Sequence, residues 1–154
     1  MTEIEKQGEY GEVLVNKFLT EKLGTRIIRN PDKYGTWDSM AVDEKGVQHT
    51  FQIKACTRYI TKKSFRFHIG PTGRALDTIK QCDHLLCVVR NPPTMKDWQY
   101  AGKIVRILDH TKYNLSSDGT LWIPSNDKTT EVLGSITAEE LAHLDSFKTS
   151  KNVL

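Results

Sequence analysis

The sequence predicts an α/β fold, and three patterns carry that prediction. Apolar residues recur at helical spacing over residues 3–23 before Gly24 provides a stop, which is typical of an amphipathic helix. Segments that alternate apolar and polar residues flank "DEKG" at 43–46, as in a β-hairpin. A continuous apolar run, "HLLCVV" at 84–89, is typical of a strand buried at the centre of a sheet.

The first half of the chain predicts a helix, three strands, a strand-like extension, a helix and another strand. After the opening helix, "TRIIR" indicates a short strand, and "NPDKYGT" supplies turn signals. The hairpin strands are "WDSMAV", which starts near Trp37, and "VQHTFQIKAC", with Gly46 available for a left-handed turn position. "FRFHI" alternates like a strand, and "RALDTIKQC" places Leu76, Ile79 and Cys82 on one helical stripe.

The second half adds further strands and a last helix. "AGKIVRILDH" and "TLWIP" indicate strands, separated by turn signals. "ITAEELAHL" indicates a helix, with Thr137 and Glu140 in capping-box spacing. We expect one domain over residues 1–154, with a core at about 4–90 and a C-terminal elaboration at about 91–154.

Composition narrows the class of protein. The three cysteines are odd in number and lack CxxC spacing. We therefore expect neither a disulfide framework nor a structural zinc site. The sequence shows no targeting segment and no apolar stretch of the roughly 20 residues that a membrane span needs. We therefore expect a cytoplasmic protein without a membrane partner.

Charge is distributed unevenly along the chain. No Asp or Glu occurs from Lys45 to Leu76, although the net charge of the whole chain is only +3. A basic tract with aromatic residues among its charges can follow a phosphate backbone, although a solvated loop and edge strand would account for the charge equally well. The side chains expected to contact nucleic acid are Arg58, Lys62, Lys63, Arg66, His68 and Arg74.

The hairpin turn predicts which polar side chains meet. If the loop comprises Glu44, Lys45 and Gly46, then Asp43 faces Val47, and counting back along the ladder places Asp38 opposite Gln52. Lys54 shares the face of Gln52, because side chains alternate along a strand. A slip of one residue in register would remove this alignment.

The order of Glu12 on the first helix, Asp38 at the second strand and "QIK" at 52–54 resembles the PD-(D/E)XK nuclease superfamily. The segment "GEYGEVLVNKFLTEKLG" at 8–24 is similar to the first helix of archaeal Holliday-junction resolvases and related restriction-type nucleases. The resemblance covers roughly residues 4–90. It implies a restriction-endonuclease-like αβββαβ core, in which helices flank a mixed central sheet, here followed by extra C-terminal strands and a terminal helix.

The sequence departs from the family pattern at two positions. Trp37 stands where a proline usually precedes the motif aspartate, and Gln52 stands where Glu or Asp is more common. Some restriction-type and homing nucleases resemble this chain in carrying Gln-x-Lys and remain active. The departure at Gln52 therefore does not by itself imply loss of activity.

The family resemblance and general phosphodiester chemistry imply the same site. Mg²⁺, for which Mn²⁺ can substitute, would be held by Asp38, Glu12, the amide oxygen of Gln52 and the carbonyl of Ile53. Lys54 would position or help to deprotonate the attacking water. The expected catalytic residues are Glu12, Asp38, Gln52 and Lys54.

Each of these residues also has an ordinary structural interpretation. Glu12 suits a solvated helix surface, with Glu9 one turn away as an alternative acid, and Asp38 suits a turn. Gln52 and Lys54 suit an exposed strand face whose lysine protects a sheet edge.

The functional prediction is an Mg²⁺-dependent endonuclease that acts on duplex or branched DNA as a homodimer or higher homo-oligomer. A catalytically inactive nucleic-acid-binding protein on the same fold, or a protein-binding adaptor, is the alternative.

Overall fold

Three helices and eight strands form the part of the chain that this computed structural model describes, which is residues 2–24, 26–32, 35–55, 64–68, 73–91 and 98–147. In chain order they are α1 (Glu3–Leu23), β1 (Ile27–Arg29), β2 (Ser39–Val42), β3 (Gln48–Lys54), β4 (Ser64–His68), α2 (Gly73–Gln81), β5 (His84–Val88), β6 (Lys103–Ile107), β7 (Thr120–Pro124), β8 (Thr130–Ser135) and α3 (Ala138–Ser146). The predicted α/β class is confirmed.

The strands form two sheets. The larger has six strands in the order β1-β2-β3-β5-β6-β8, and it is mixed because β3 and β5 are parallel while the other neighbours are antiparallel. Strand β4 leaves this sheet and pairs with β7 as a separate antiparallel ribbon. The sequence predicted the strand character of β4 without its partner, and it did not predict β8.

The two predicted terminal helices have defined caps. In α1 the side chain of Thr2 accepts a hydrogen bond from the backbone N–H of Glu5 at 3.1 Å. The helix ends at Gly24, whose N–H donates to the carbonyl of Thr20. In α3 the predicted capping box between Thr137 and Glu140 is present in both directions.

The β2–β3 hairpin has the predicted register. Its ladder runs from Ser39 opposite Phe51 to Val42 opposite Gln48, and the N–H of Asp43 donates to the carbonyl of Val47 at 2.9 Å. Gly46 has a φ of +80°, the left-handed conformation that the loop length requires.

Buried apolar residues lie on both faces of the larger sheet. On the face covered by α1 and α3, the core comprises Val15, Leu19, Ala41, Phe51, Ile53, Leu86, Val88, Ile104 and Leu144. On the other face, the β4–β7 ribbon and α2 contribute Phe65, Phe67, Leu76, Ile79, Leu121 and Ile123, packed with Trp98 and Tyr100. Among the described residues, no helix combines the length and apolar character needed to cross a membrane.

Candidate active site

The candidate site lies at the point where β2 stops pairing with β3. The N–H of Asp38 donates to the carbonyl of Phe51, which is the residue already paired with Ser39. The ladder therefore ends at Ser39. The prediction that Asp38 pairs with Gln52 is wrong. Instead, Oδ2 of Asp38 accepts a hydrogen bond of 2.8 Å from the N–H of Ile53, so that the carboxylate replaces a backbone acceptor at the end of the hairpin.

Helix α1 brings Glu12 to this point through a close contact at Gly11. A Cβ built on Gly11 would lie 2.8 Å from the Cβ of Ala55 and 3.3 Å from a methyl group of Val88. Only glycine allows the helix to approach the ends of β3 and β5 so closely. The glycine before the acid in "GEYGEV" is therefore explained by packing, and Glu12 is the residue placed next to the sheet.

Glu12 and Asp38 interact strongly. Burial, the charge of Asp38 and a hydrogen bond with the Asp38 side chain together raise the pKa of Glu12 to about 7. Arg29 on β1 opposes this shift, with its Nη2 3.1 Å from Oε2 of Glu12. The two carboxyl groups therefore form a crowded acidic pair beside one guanidinium.

Lys54 lies within electrostatic reach of both carboxylates. It is partly buried at the end of β3, where it pairs with Cys87 of β5. Burial lowers the pKa of its ammonium group, while the charges of Asp38 and then Glu12 act in the opposite direction. The structure thus brings together Glu12, Asp38 and Lys54, as the sequence predicted.

Gln52 contacts Cys82, the residue that follows α2, and Asp38 acts electrostatically on the same cysteine. Oε1 of Gln52 lies 3.8 Å from the Sγ of Cys82, which donates to the carbonyl of Thr36 at 3.0 Å. Burial and, next in size, the charge of Asp38 raise the pKa of Cys82 to about 11. The thiol therefore remains protonated, and its single hydrogen has two acceptors within reach, the nearer carbonyl of Thr36 and the amide oxygen of Gln52.

Sequence reasoning missed three supporting residues. Arg29 pairs with Glu12, and Cys82 contacts Gln52. Asn16, one helical turn after Glu12, accepts a hydrogen bond of 2.7 Å from the hydroxyl of Ser39, which ties α1 to the start of β2. Helical spacing from Glu12 would have indicated Asn16, whereas the other two depend on contacts between distant segments.

The donor atoms suit a hard divalent cation. Two carboxylates lie together, and the amide oxygen of Gln52 lies 3.8 Å from the thiol of Cys82, on which Asp38 also acts electrostatically. The carbonyl of Ile53 points to the same side of β3 as its N–H, towards Asp38, because both groups of a strand residue face one neighbour. Across the described ranges, however, no three His, Cys, Asp or Glu side chains are grouped to hold a metal ion.

Most of the expected nucleic-acid contacts cannot be placed. Arg58, Lys62 and Lys63 lie outside the described residues, as do the side chains of His68 and Arg74. Arg66 is on β4, where it is partly buried and lies over the ring of Trp122, with its Cζ 5.5 Å from the ring centroid.

Comparison with known proteins adds no family. No family model matches this chain, and no curated protein matches it. The fold and the site define an α/β protein with a mixed six-stranded sheet and a partly buried acidic pair next to a lysine.

Proposed function

We propose that this protein is a metal-dependent endonuclease that hydrolyses DNA phosphodiester bonds on a restriction-endonuclease-like core. The observation that supports the proposal most is the convergence of Glu12, Asp38 and Lys54 at one end of β3. These residues come from α1, the start of β2 and β3, and they interact electrostatically. Two acids and a lysine in this arrangement suit the hydrolysis of an anionic substrate.

Four groups of the chain would hold the cation: the carboxylates of Asp38 and Glu12, the amide oxygen of Gln52 and the carbonyl of Ile53. A bound Mg²⁺ or Mn²⁺ would offset the phosphate charge and lower the pKa of its water. The acidic pair fits this role, because burial and the charge of Asp38, which raise the pKa of Glu12, both disfavour a negative charge that a bound cation would stabilise.

Lys54 acts on the attacking water and on the phosphate. Its lowered pKa favours proton exchange with water more than an exposed lysine would allow. In its charged form it stabilises the negative charge that develops on the phosphoryl oxygens.

Gln52 sets how well the site holds the cation. An amide oxygen is a neutral ligand, so the site carries one negative charge fewer than a site with a third carboxylate. We expect activity to require millimolar metal and Gln52→Glu to lower that requirement.

Cleavage of supercoiled plasmid and of a four-way DNA junction in Mg²⁺ or Mn²⁺ tests the proposal. Wild type should cut at least one of them, while Asp38→Asn and Lys54→Met should each lose at least about a hundredfold in rate, in line with the loss of a group acting in the transition state. Asp127→Asn and Lys128→Met are matched controls, because both residues are exposed and lie in the turn before β8. Equal loss in the controls, or full activity of Asp38→Asn, would reject the site.

We also propose that the protein acts in the cytoplasm as a homodimer. Cutting both strands of a duplex or a symmetric branch requires two active sites, which two copies of the chain supply most simply. Sedimentation velocity of the full chain should show a species of twice the chain mass.

One observation favours the alternative of a catalytically inactive nucleic-acid-binding protein. Only two carboxylates converge at the described site, and the third position is an amide. Salt-sensitive DNA binding by wild type without cleavage in either metal would support this alternative. Absence of both binding and cleavage would point to a protein-binding adaptor.

A further inference from the structure

Arg66 and Trp122 lie side by side on the outer face of the β4–β7 ribbon, where Arg66 is partly buried and Trp122 is exposed. They are direct partners across the two strands, and the guanidinium lies 5.5 Å from the ring centroid. The indole is 38 % exposed, whereas Phe65 and Ile123, which point inwards from the same strands, are fully buried. The pair is therefore held by the ribbon but does not contribute to the core.

The exposure of Trp122 is unlike that of the neighbouring large aromatic residues. Trp98 and Tyr100 are both buried in the core below the ribbon, in contact with Phe65. An indole left partly in solvent, with a guanidinium fixed against it, offers a flat π surface next to a positive charge. Unpaired nucleobases stack on such surfaces, because every base has a π face and the backbone beside it is anionic.

The surrounding charge agrees with an anionic ligand. Strand β4 lies inside the segment from Lys45 to Leu76, which contains no Asp or Glu. One carboxylate that interacts electrostatically with Arg66 is that of Asp118, in the turn before β7. Asp118 is already bound within that turn, by the hydroxyl of Ser116 and the N–H of Thr120.

We propose that Arg66 and Trp122 form a stacking platform for an unpaired base of single-stranded DNA. The inference rests on the proposed nuclease function and deepens it, because it names the substrate class as DNA that carries a single-stranded segment. A paired base inside a duplex has both faces covered by its neighbours, whereas an unpaired base can turn a free face to the indole. Recognition by stacking tolerates any sequence.

Binding of fluorescently labelled DNA to the full-length protein, in EDTA to prevent cleavage, tests the platform. Trp122→Ala should weaken binding of a single-stranded 20-mer by about tenfold, the loss typical of one stacked base, and leave duplex binding unchanged. Trp122→Phe should retain most of the affinity. Val132→Ala is the control, since Val132 is another exposed apolar residue, on β8 of the larger sheet.

Tryptophan fluorescence gives a direct second measurement. Single-stranded DNA should quench the emission of wild type more than that of Trp122→Phe, which lacks the stacking indole but keeps Trp37 and Trp98. Far-UV circular dichroism and thermal melting establish that each variant is folded.

The outcomes separate the platform from the nuclease. Unchanged single-strand affinity in both Trp122 variants, or no binding of single strands by wild type, overturns the platform whether or not the protein cleaves DNA. A loss confined to Trp122→Ala supports the platform even if wild type cleaves no substrate, in which case only the nuclease proposal fails.

Discussion

At the scale of single residues, the acidic pair makes the titration of Glu12 the most direct test of the site. We expect its carboxyl group to titrate near pH 7 in the metal-free protein, because burial and Asp38 both disfavour its ionised form. Asp38→Asn should lower this pKa, and Arg29→Gln should raise it. Carbon NMR of the labelled glutamate side chains, assigned with Glu12→Gln, measures all three values. A value near 4.5 in wild type would show that the pair is not formed.

The same shift affects stability. The pKa of Glu12 is higher in the folded chain than its ordinary value of 4.5, so the folded state holds the proton more tightly. The free energy of unfolding should therefore fall as pH rises from 4.5 to about 7, by the sign of proton linkage. Urea unfolding at pH 5 and pH 8 should show a smaller difference for Glu12→Gln than for wild type.

At the scale of elements, the packing of α1 on the sheet depends on Gly11. In Gly11→Ala the added methyl group would meet the Cα and Cβ of Ala55 at 3.0 and 2.8 Å, and backbone cannot move aside cheaply. We expect a loss of about 1–3 kcal/mol in the free energy of unfolding, the usual cost of overpacking. The helix should also shift and separate Glu12 from Asp38.

Gly8→Ala is the matched control for that substitution. It lies in the same helix, but a methyl group there would meet nothing within 4 Å. Alanine is favoured over glycine inside a helix, so this variant should gain up to about 1 kcal/mol. Urea denaturation measures the free energy of unfolding of both variants. Equal changes in Gly11→Ala and Gly8→Ala would show that α1 does not approach β3 closely.

A chain of three side chains links the β2–β3 hairpin to β5. Oδ2 of Asp43 lies 3.0 Å from Nε2 of His49, and Nδ1 of His49 lies 3.4 Å from Nε2 of His84. A single proton between Nδ1 of His49 and Nε2 of His84 can form a hydrogen bond, whereas a proton on each of these nitrogens would place two N–H groups against each other. Burial lowers the pKa of His84, and the charges of Arg106 and His49 lower it further, while Asp83 opposes them.

The lowered pKa of His84 predicts a dependence of stability on pH that is opposite in sign to that of Glu12. Because the pKa of His84 is lower in the folded state than its ordinary 6.5, the unfolded chain takes up the proton first as pH falls. The unfolding free energy contributed by His84 should therefore decline below about pH 6.5. His84→Phe should reduce that decline in urea unfolding between pH 7.5 and pH 5.5, and His143→Gln, an exposed histidine on α3, should not.

Local patterns predicted the elements well. The turn around Gly46 was sufficient for the hairpin register, and periodicity with its glycine stop was sufficient for α1. Strand β8 was missed because its sequence, TEVLGS, does not alternate apolar and polar residues and its burial does not alternate either. The partner of β4 was not predictable, because alternation shows that a segment is a strand but not which distant strand it joins.

The site was predictable to a similar degree. Glu12, Asp38 and Lys54 interact electrostatically, and the hairpin turn positions Asp38 and Lys54, whereas Glu12 depends on the packing of α1 against Ala55 through Gly11. The exact place of Asp38 was not predictable, because its carboxylate binds the N–H of Ile53 and ends the ladder early. Contacts of Arg29 and Cys82 depend on how separate segments pack.

At the scale of the whole molecule, the C-terminal strands complete both sheets. Strand β6 covers the edge of β5 opposite β3, and β7 is the partner of β4. Residues after 98 supply Ile104, Val105, Ile107 and Leu144 to the two cores. The expected division into a core at about 4–90 and an elaboration at about 91–154 can therefore be tested by truncation.

We expect a fragment of residues 1–91 not to fold cooperatively, because removing β6 and β7 exposes the apolar faces of β4 and β5 and leaves β5 as an unpaired edge. A fragment of residues 1–147 keeps every described element and is the control. Urea unfolding followed by circular dichroism should show a sigmoidal transition for the control and wild type, and a gradual, non-cooperative change for 1–91. A cooperative transition in 1–91 would instead establish residues 4–90 as an independent core, with the remaining strands added to it.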